Sequence, residues 1–280
     1  MQKHIDKISR RCAFEGAYLL RRIGGVKKLM LTYPELPYPG TALWRISRML
    51  GWRLTKDIGS LGDADVVFRW QDATFAKPWP TGQSVRRVYN QHIVDISKNS
   101  VDAVHQEAFG YSLGLDGATW SGKMLLKPIE NARHSGEVIT GPLKEIPKGF
   151  MCQRVVDNTE GADRVMDLRV VFFDGEIPFG YRKYRPLSTR FSNTNQAASL
   201  FMPSQEFSPH ELERITAFAR AMKLDYGEMD VLRDKSDGKI FICDVNTTPF
   251  GPPNNILKDD YFRALDLYLS AFVSMMERAS

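Results

Sequence analysis

Two hydrophobic segments, each with an Asp-Gly pair inside it, limit most strongly how this chain of 280 residues can fold. The first is DLRVVFFDGEIPFGYRKYR at 167–185, and the second is YGEMDVLRDKSDGKIFICDVN at 226–246. Asp-Gly between stretches rich in Val, Ile, Phe and Tyr is a strong signal for a hairpin turn. The sequence therefore predicts two antiparallel β-hairpins.

In the second hairpin, the alternation of side chains between the two faces of a strand places several polar residues on one face. Asp244 and Asn246 point the same way, because successive strand residues point to opposite faces. If the loop is the three residues 236–238, Asp230 lies directly opposite Asp244. A two-residue Asp-Gly turn would instead put Asp230 on the other face.

Facing carboxylates need a cation between them, because like charges at cross-strand distance repel each other. With the amide oxygen of Asn246 beside Asp230 and Asp244, the set favours a hard divalent cation such as Mg²⁺. The alternative is a strand end whose polar residues merely cap the following turn.

The first hairpin predicts a second polar face. With Asp-Gly at 174–175 as the turn, Asp167 lies opposite Arg182, and Arg169 shares that face. Arginines there can hold phosphate or carboxylate oxygens by paired hydrogen bonds. A cross-strand ion pair between Asp167 and Arg182 on a solvated face is the alternative.

Two lysines precede the hairpins at positions suited to an anion. Lys127 ends the apolar strand KMLLKPI, where an ammonium group loses much of its hydration unless it meets an anion. Lys98 stands at the start of a helix that runs to Gly110, and the partial positive charge of the helix N-terminus reinforces its ammonium group. Either lysine alone is also compatible with an ordinary side chain that reaches out to solvent.

The formal net charge of +5 is concentrated at the N-terminus. Residues 1–31 hold eight Lys and Arg against two acidic residues, in a segment with the pattern of an amphipathic helix. Nucleic acid is therefore not an expected partner. The helix either lies on its own domain or contacts a membrane surface or a protein partner.

Three cysteines, odd in number and far apart in the sequence, fit neither a disulfide framework nor a zinc site rich in cysteine. The sequence also shows no long uncharged apolar run. We expect a cytoplasmic protein.

Two familiar motifs are excluded by their context. GATWSGK at 117–123 has the spacing of a phosphate-binding loop, but a strand follows it where that loop requires a helix. GYSLG at 110–114 matches the nucleophile elbow of hydrolases, yet a helix precedes Ser112 and a Gly/Asp turn follows it. Gly110 is better explained as a helix cap.

Several short segments, taken in order, resemble the ATP-grasp superfamily. They are DISK (95–98), LLKP (125–128), CQRVV (152–156), DLRVVFFDGEI with YRKYR (167–185), GEMDVLRD (227–234) and ICDVN (242–246). The resemblance implies an α+β fold in which two α+β subdomains clasp the nucleotide, preceded by a small α/β unit. The corresponding domains are 1–88, 89–150 and 151–280.

The resemblance also implies roles for residues. Lys98 and Lys127 would hold the phosphates of ATP, and Arg169 and Arg182 would steady the transferred phosphoryl group or the substrate anion. Magnesium would be carried by Asp230, Asp244 and Asn246. The linker against adenine and ribose would consist of Gln153, Arg154, Val155, Val156 and Asp157.

The reaction that this resemblance implies is ATP-dependent activation of a carboxylate as an acyl phosphate, which then passes to an amine. The substrates would be small molecules, with ATP and Mg²⁺ as cofactors. Such chemistry depends on positioning and charge neutralisation more than on a histidine base. His134, in the loop after Lys127, is the only histidine at a plausible site position. The alternatives are a kinase that phosphorylates a hydroxyl or sugar, and a non-catalytic module that binds a nucleotide.

Overall fold

The structure, a computed structural model, describes residues 2–80, 87–133, 135–192 and 194–278, with side chains from residue 12 onward. His134, which the sequence singles out beside Lys127, lies outside the described residues. The described strands form three sheets, and a cleft lies between two of them.

The N-terminal part is the small α/β unit that the sequence predicts. Its elements are α1 (Gln2–Ile23), β1 (Leu29–Pro34), α2 (Ala42–Leu50), β2 (Arg53–Thr55), β3 (Val66–Trp70) and β4 (Val88–Tyr89). The strands form a parallel sheet in the order β2-β1-β3-β4. Every residue of the β3 sequence VVFRW is buried, as expected for a parallel strand that is covered on both faces.

Helix α1 packs on the same chain through its described side chains. The ring of Phe14 meets that of Trp44 edge to face at 5.8 Å. Arg48 forms an ion pair of 3.2 Å with Glu15 and lies over the ring of Tyr18. These contacts match the interpretation of a helix that lies on its own domain. Among the described residues, no helix is both long and apolar enough to cross a membrane.

A small antiparallel sheet follows the N-terminal unit. The elements are α3 (Lys98–Phe109), β5 (Gly114–Leu115), β6 (Lys123–Pro128), β7 (Glu137–Thr140) and β8 (Phe150–Gln153). The sheet has the order β5-β8-β6-β7. Since β8 pairs with β6, this sheet extends to residue 153.

A large antiparallel sheet contains both predicted hairpins. Its elements, with the helices that cover it, are β9 (Thr159–Glu160), β10 (Arg164–Phe173), β11 (Gly180–Pro186), β12 (Ala197–Phe201), α4 (Pro209–Ala221), β13 (Tyr226–Arg233), β14 (Ile240–Asn246) and α5 (Lys258–Arg278). The strand order is β12-β11-β10-β13-β14, with β9 beside β10. Helices packed on antiparallel sheets confirm the predicted α+β class.

The two faces of the large sheet are covered differently. On one face, alternate residues of β10 such as Leu168 and Val170 pack against α3 and α4. On the other face, Phe173 and Tyr226 join the core beneath the N-terminal unit and α5. Further along this second face the side chains become charged, and there the sheet borders the cleft.

Candidate active site

The cleft lies between the small sheet and the charged part of the large sheet, and it measures about 1100 Å³, part of it open to solvent. The described side chains around it include an excess of basic groups. These are Lys98, Lys127, Arg133, Arg154, Arg169, Arg185 and Arg190, against Glu130, Asp167, Asp230 and Asp244. A cleft with this balance favours an anionic ligand.

Asp230 lies directly opposite Asp244, as the sequence predicts, but the local path differs from the prediction. The three-residue loop at 236–238 is wrong, because Asp234 N–H bonds to Lys239 O and the loop has the four residues 235–238. A β-bulge at Cys243 then shifts the register back by one residue. The longer loop and the bulge offset each other, so the carboxylates still face.

Asp230 is held by two cations. Arg169 donates from Nε to Oδ1 at 2.8 Å and from Nη2 to Oδ2 at 2.9 Å, and Lys183 donates from Nζ to Oδ1 at 2.9 Å. Burial alone would raise the pKa of Asp230, but Arg169 and Lys183 overcome it and hold this pKa well below its usual range. Burial and the nearby Arg169 lower the pKa of Lys183, while Asp230 opposes that change.

Asp244 has no such partner. Its Oδ1 accepts a hydrogen bond of 3.2 Å from Val245 N–H, and no described cation lies within ion-pair distance. Burial raises the pKa of Asp244, Lys98 and Lys127 oppose this, and Asp230 adds to it. A half-buried carboxylate without an ion pair is the kind of group that a cation would stabilise.

Asn246 caps the turn that follows β14. Its Oδ1 accepts hydrogen bonds from Thr248 N–H at 2.9 Å and from Thr248 Oγ1 at 3.3 Å. The structure therefore shows the turn-capping arrangement that the sequence left as an alternative. Over the described ranges, no cluster of three or more His, Cys, Asp or Glu residues could hold a metal ion.

The first hairpin has the predicted turn but a different register beyond it. Phe173 pairs with Glu176 as expected. Two residues, Ile177 and Pro178, then lie opposite the single residue Phe172, as in a bulge. Proline, which lacks the N–H needed for a ladder hydrogen bond, is tolerated at such a position.

This shift corrects the predicted position of Arg182. Asp167 lies opposite Lys183 and not opposite Arg182. Arg182 lies on the other face, where its Nε bonds to Glu206 Oε1 at 2.5 Å and its guanidinium stacks on Phe201 at 5.3 Å. The structure brings Arg169 to the cleft, but it does not bring Arg182 there.

Sequence reasoning did not identify Lys183 as a site residue. The signal was available, since in β11 Lys183 and Arg185 alternate with Arg182, but the register needed to use it depends on the bulge. Arg185 forms an ion pair with Asp167 through Nη1 and lines the cleft.

Lys98 and Lys127 both line the cleft, as predicted. Lys98 is the first residue of α3, after the N-cap residue Ser97, and its Nζ donates to Glu130 O and to Asn131 Oδ1 at 3.1 Å each. Burial lowers the pKa of Lys98, and Asp244 opposes this. Lys127 makes no hydrogen bond or ion pair with a described residue, so its ammonium group is available to an anion.

The predicted adenine linker borders the cleft from Gln153 to Val156. Arg154 N–H bonds to Leu113 O at 2.8 Å, which fixes the start of the linker. Within the described residues, the backbone N–H and C=O of Val155 have no hydrogen-bond partner. These two groups could therefore pair with the edge of a purine.

Asp157 does not line the cleft, and its carboxylate is engaged elsewhere. Its Oδ1 accepts hydrogen bonds from Thr159 N–H and Oγ1, which lower the pKa of Asp157. The neighbouring Asn158 lines the cleft instead. Its Nδ2 donates to Asp167 Oδ1 at 2.8 Å, and its Oδ1 accepts from Arg190 Nη2 at 2.7 Å.

Both rejected motifs lie in structural surroundings that exclude a phosphate-binding loop and a nucleophile elbow. The GATWSGK segment leads into strand β6 and not into a helix. Gly110 is the left-handed C-cap of α3, and Ser112 Oγ donates to Asp102 Oδ2 at 2.6 Å. Among the described residues, Ser112 therefore has a structural hydrogen bond and lacks the surroundings of a catalytic nucleophile.

No protein-family model matches the sequence, and a search of curated proteins finds no match. The structure is similar to that of the ATP-grasp ligase PsnB complexed with precursor peptide PsnA2 and AMPPNP, at 14% identity and a TM-score of 0.46, covering 69% of this chain and 62% of that chain. It is also similar to the VanG D-Ala:D-Ser ligase from Enterococcus faecalis, at 11% identity and a TM-score of 0.44, covering 65% and 61%.

A third similar structure is the D-cycloserine synthetase DcsG, at 13% identity and a TM-score of 0.45, covering 90% of this chain and 99% of that chain. All three are ligases or synthetases, and PsnB belongs to the superfamily that the sequence motifs resemble. The matched part of this chain spans less than two thirds of the PsnB and VanG chains. At TM-scores below 0.5, none of these similarities identifies the reaction of this chain.

Proposed function

We propose that this chain is an ATP-grasp ligase that activates a carboxylate as an acyl phosphate and joins it to an amine. The observation that carries the proposal is the basic cleft between two antiparallel sheets, in which Lys98 and Lys127 both act electrostatically on the unpaired carboxylate of Asp244. Two ammonium groups and one available carboxylate suit a phosphate chain with its metal ion.

The cleft offers distinct groups to the two ends of ATP. The unpaired backbone groups of Val155 suit the adenine edge, and the lysines suit the phosphates. Asp244 would hold magnesium, which would neutralise charge on the phosphate oxygens when bound. Arg169 and Arg185 line the cleft from the large sheet, where guanidinium groups can orient an anionic acceptor.

The chemical steps require positioning above all. An oxygen of the substrate carboxylate attacks the γ-phosphorus, the bond from that phosphorus to the ADP oxygen breaks, and an acyl phosphate forms. The amine nitrogen then attacks the acyl carbon, inorganic phosphate leaves, and the nitrogen loses a proton to give the amide. The basic side chains hold the reacting groups together and stabilise the charge that develops.

A kinase would require a general base beside the acceptor hydroxyl. No histidine lines the cleft among the described residues, and the one unpaired carboxylate, Asp244, has the metal role in this proposal. This arrangement favours the ligase.

The test is to incubate the protein with ATP, Mg²⁺ and mixtures of carboxylic acids, with and without amines, and to identify products by mass spectrometry. The Lys127→Met variant serves as the negative control. An amide product that requires both an acid and an amine, formed together with ADP, supports the ligase. A stable phosphorylated product formed without any amine would favour the kinase, and ATP binding without consumption would favour the binding module.

A further inference from the structure

Asp230 and Asp244 face each other across β13 and β14, an arrangement that would be repulsive if both carboxylates lacked partners. A divalent metal between them is one solution to that repulsion. The structure contains another solution, because Arg169 and Lys183 already surround Asp230 at hydrogen-bond distance. The protein's own cations therefore remove the electrostatic reason for a shared metal.

We infer that Asp230 is an internal counter-ion for Arg169 and Lys183 and does not ligate magnesium, so that Asp244 is the one carboxylate of the pair that meets the metal ion. The inference rests on the proposed function, since it concerns the metal that accompanies ATP.

Both oxygens of Asp230 are already engaged by cations. Oδ1 accepts two hydrogen bonds, from Arg169 Nε and Lys183 Nζ, and Oδ2 accepts one from Arg169 Nη2. A carboxylate has about four lone-pair positions, so three of them are used. A metal ion at the remaining position would lie close to two positive charges.

Of the two cations, Lys183 is buried and Arg169 is half-buried. The side chain of Lys183 is only 2% exposed and that of Arg169 is 24% exposed. If Asp230 turned towards a metal ion, Lys183 would lose a short charged contact inside the protein. A buried charge without its partner is strongly unfavourable, so the ion-paired arrangement opposes metal binding at Asp230.

Asp244 differs from Asp230 in having no ion pair with a described residue. Lys98 and Lys127 influence Asp244 electrostatically, but neither lies within ion-pair distance of it. Lys98 Nζ bonds instead to the loop at 130–131. Asp244 accepts one hydrogen bond, at Oδ1 from Val245 N–H, so its Oδ2 is available to a cation, whereas both oxygens of Asp230 are engaged by Arg169 and Lys183.

The experiment compares two matched substitutions on facing strands, Asp230→Asn and Asp244→Asn. Isothermal calorimetry measures the affinity for the non-hydrolysable analogue AMPPNP with and without Mg²⁺. For Asp230→Asn we expect the Mg²⁺ enhancement of affinity to be retained. The affinity without Mg²⁺ should become several-fold tighter, because Arg169 and Lys183 lose a competing anion. For Asp244→Asn we expect the Mg²⁺ enhancement to fall by roughly tenfold or more.

A second readout needs neither nucleotide nor metal. In the absence of nucleotide and metal, Asp230→Asn should lower the melting temperature by roughly 5 °C or more, because two cations lose their counter-ion. Asp244→Asn should not lower the melting temperature.

Equal loss of the Mg²⁺ enhancement in both variants would overturn the inference and make Asp230 a metal ligand. An unchanged melting temperature of Asp230→Asn would overturn it as well. A failure of the wild-type protein to bind AMPPNP under any condition would remove the proposed function itself, which is a different result from either of these.

Discussion

Glu228 and Asp230 lie two residues apart on the same face of β13, yet the pKa values of their carboxyl groups are shifted in opposite directions. Arg169 contacts both, at 3.4 Å from Nη1 to Glu228 Oε2 and at 2.8 Å from Nε to Asp230 Oδ1. Burial raises the pKa of Glu228, and Arg169 only partly opposes it. Tyr268 donates a hydrogen bond of 2.6 Å to Glu228 Oε1.

This difference predicts a pH dependence of stability. A carboxyl group whose pKa is raised by folding contributes stability below its unfolded pKa, and this contribution is lost as the pH rises through the folded pKa. We expect Glu228→Gln to remove this loss and to become more stable than the wild type at neutral pH, by about 1 kcal/mol or more. Urea unfolding at a series of pH values above 4 measures the effect. Parallel curves for the two proteins would contradict the prediction.

Lys127→Met should weaken nucleotide binding while the fold is retained. The loss of a charge-assisted contact to phosphate is worth about 1.5–3 kcal/mol, or roughly tenfold to a hundredfold in affinity. Calorimetry with ATP measures this change. Lys123→Met is the matched control, because Lys123 begins the same strand but does not line the cleft. Unchanged affinity in Lys127→Met would remove the phosphate role of Lys127.

Substitutions of the two arginines of β11 should differ in their effect on turnover. Arg182→Gln removes the contacts with Glu206 and Phe201, so we expect a loss of about 1–2 kcal/mol in the free energy of unfolding with turnover close to the wild type. Arg185→Gln removes a cationic group from the cleft and the ion-pair partner of Asp167, so both turnover and the free energy of unfolding should fall. Denaturant unfolding and product formation are measured on both variants. A turnover defect in Arg182→Gln at full stability would restore Arg182 as a site residue.

Asp244→Asn should abolish Mg²⁺-dependent turnover without destabilising the protein. The pKa of Asp244 is raised by burial, so its ionised form costs stability at neutral pH, and a neutral amide of the same shape relieves this cost. We expect the unfolding free energy without Mg²⁺ to be unchanged or higher by about 1 kcal/mol. A large decrease, measured by thermal melting without Mg²⁺, would show that Asp244 has a structural role.

The sequence predicted the hairpins because their turn chemistry is local, and it did not predict the register because bulges depend on packing. The facing of Asp230 and Asp244 was correct although the loop between their strands was one residue longer than expected. In the other hairpin no second irregularity offset the bulge at 177–178, so Arg182 was placed on the wrong face. The role of Lys183 also depends on packing, because it follows from a contact with a residue 47 positions further along the chain, on another strand.

One face of the large sheet carries both the ion pairs of the cleft and part of the hydrophobic core. The N-terminal unit covers this core, so it cannot be removed without an effect on the rest of the chain. Along β10, this face runs from Arg169 in the cleft to Phe173 in the layer beneath the N-terminal unit. Along β13, it runs in the same direction from Glu228 to Tyr226. A gene fragment that begins at residue 89 would therefore uncover an aromatic surface next to the charged side chains of the cleft, and such a surface promotes aggregation. The N-terminal unit thus shares its core with the large sheet, and its removal would leave Phe173 and Tyr226 without part of their packing.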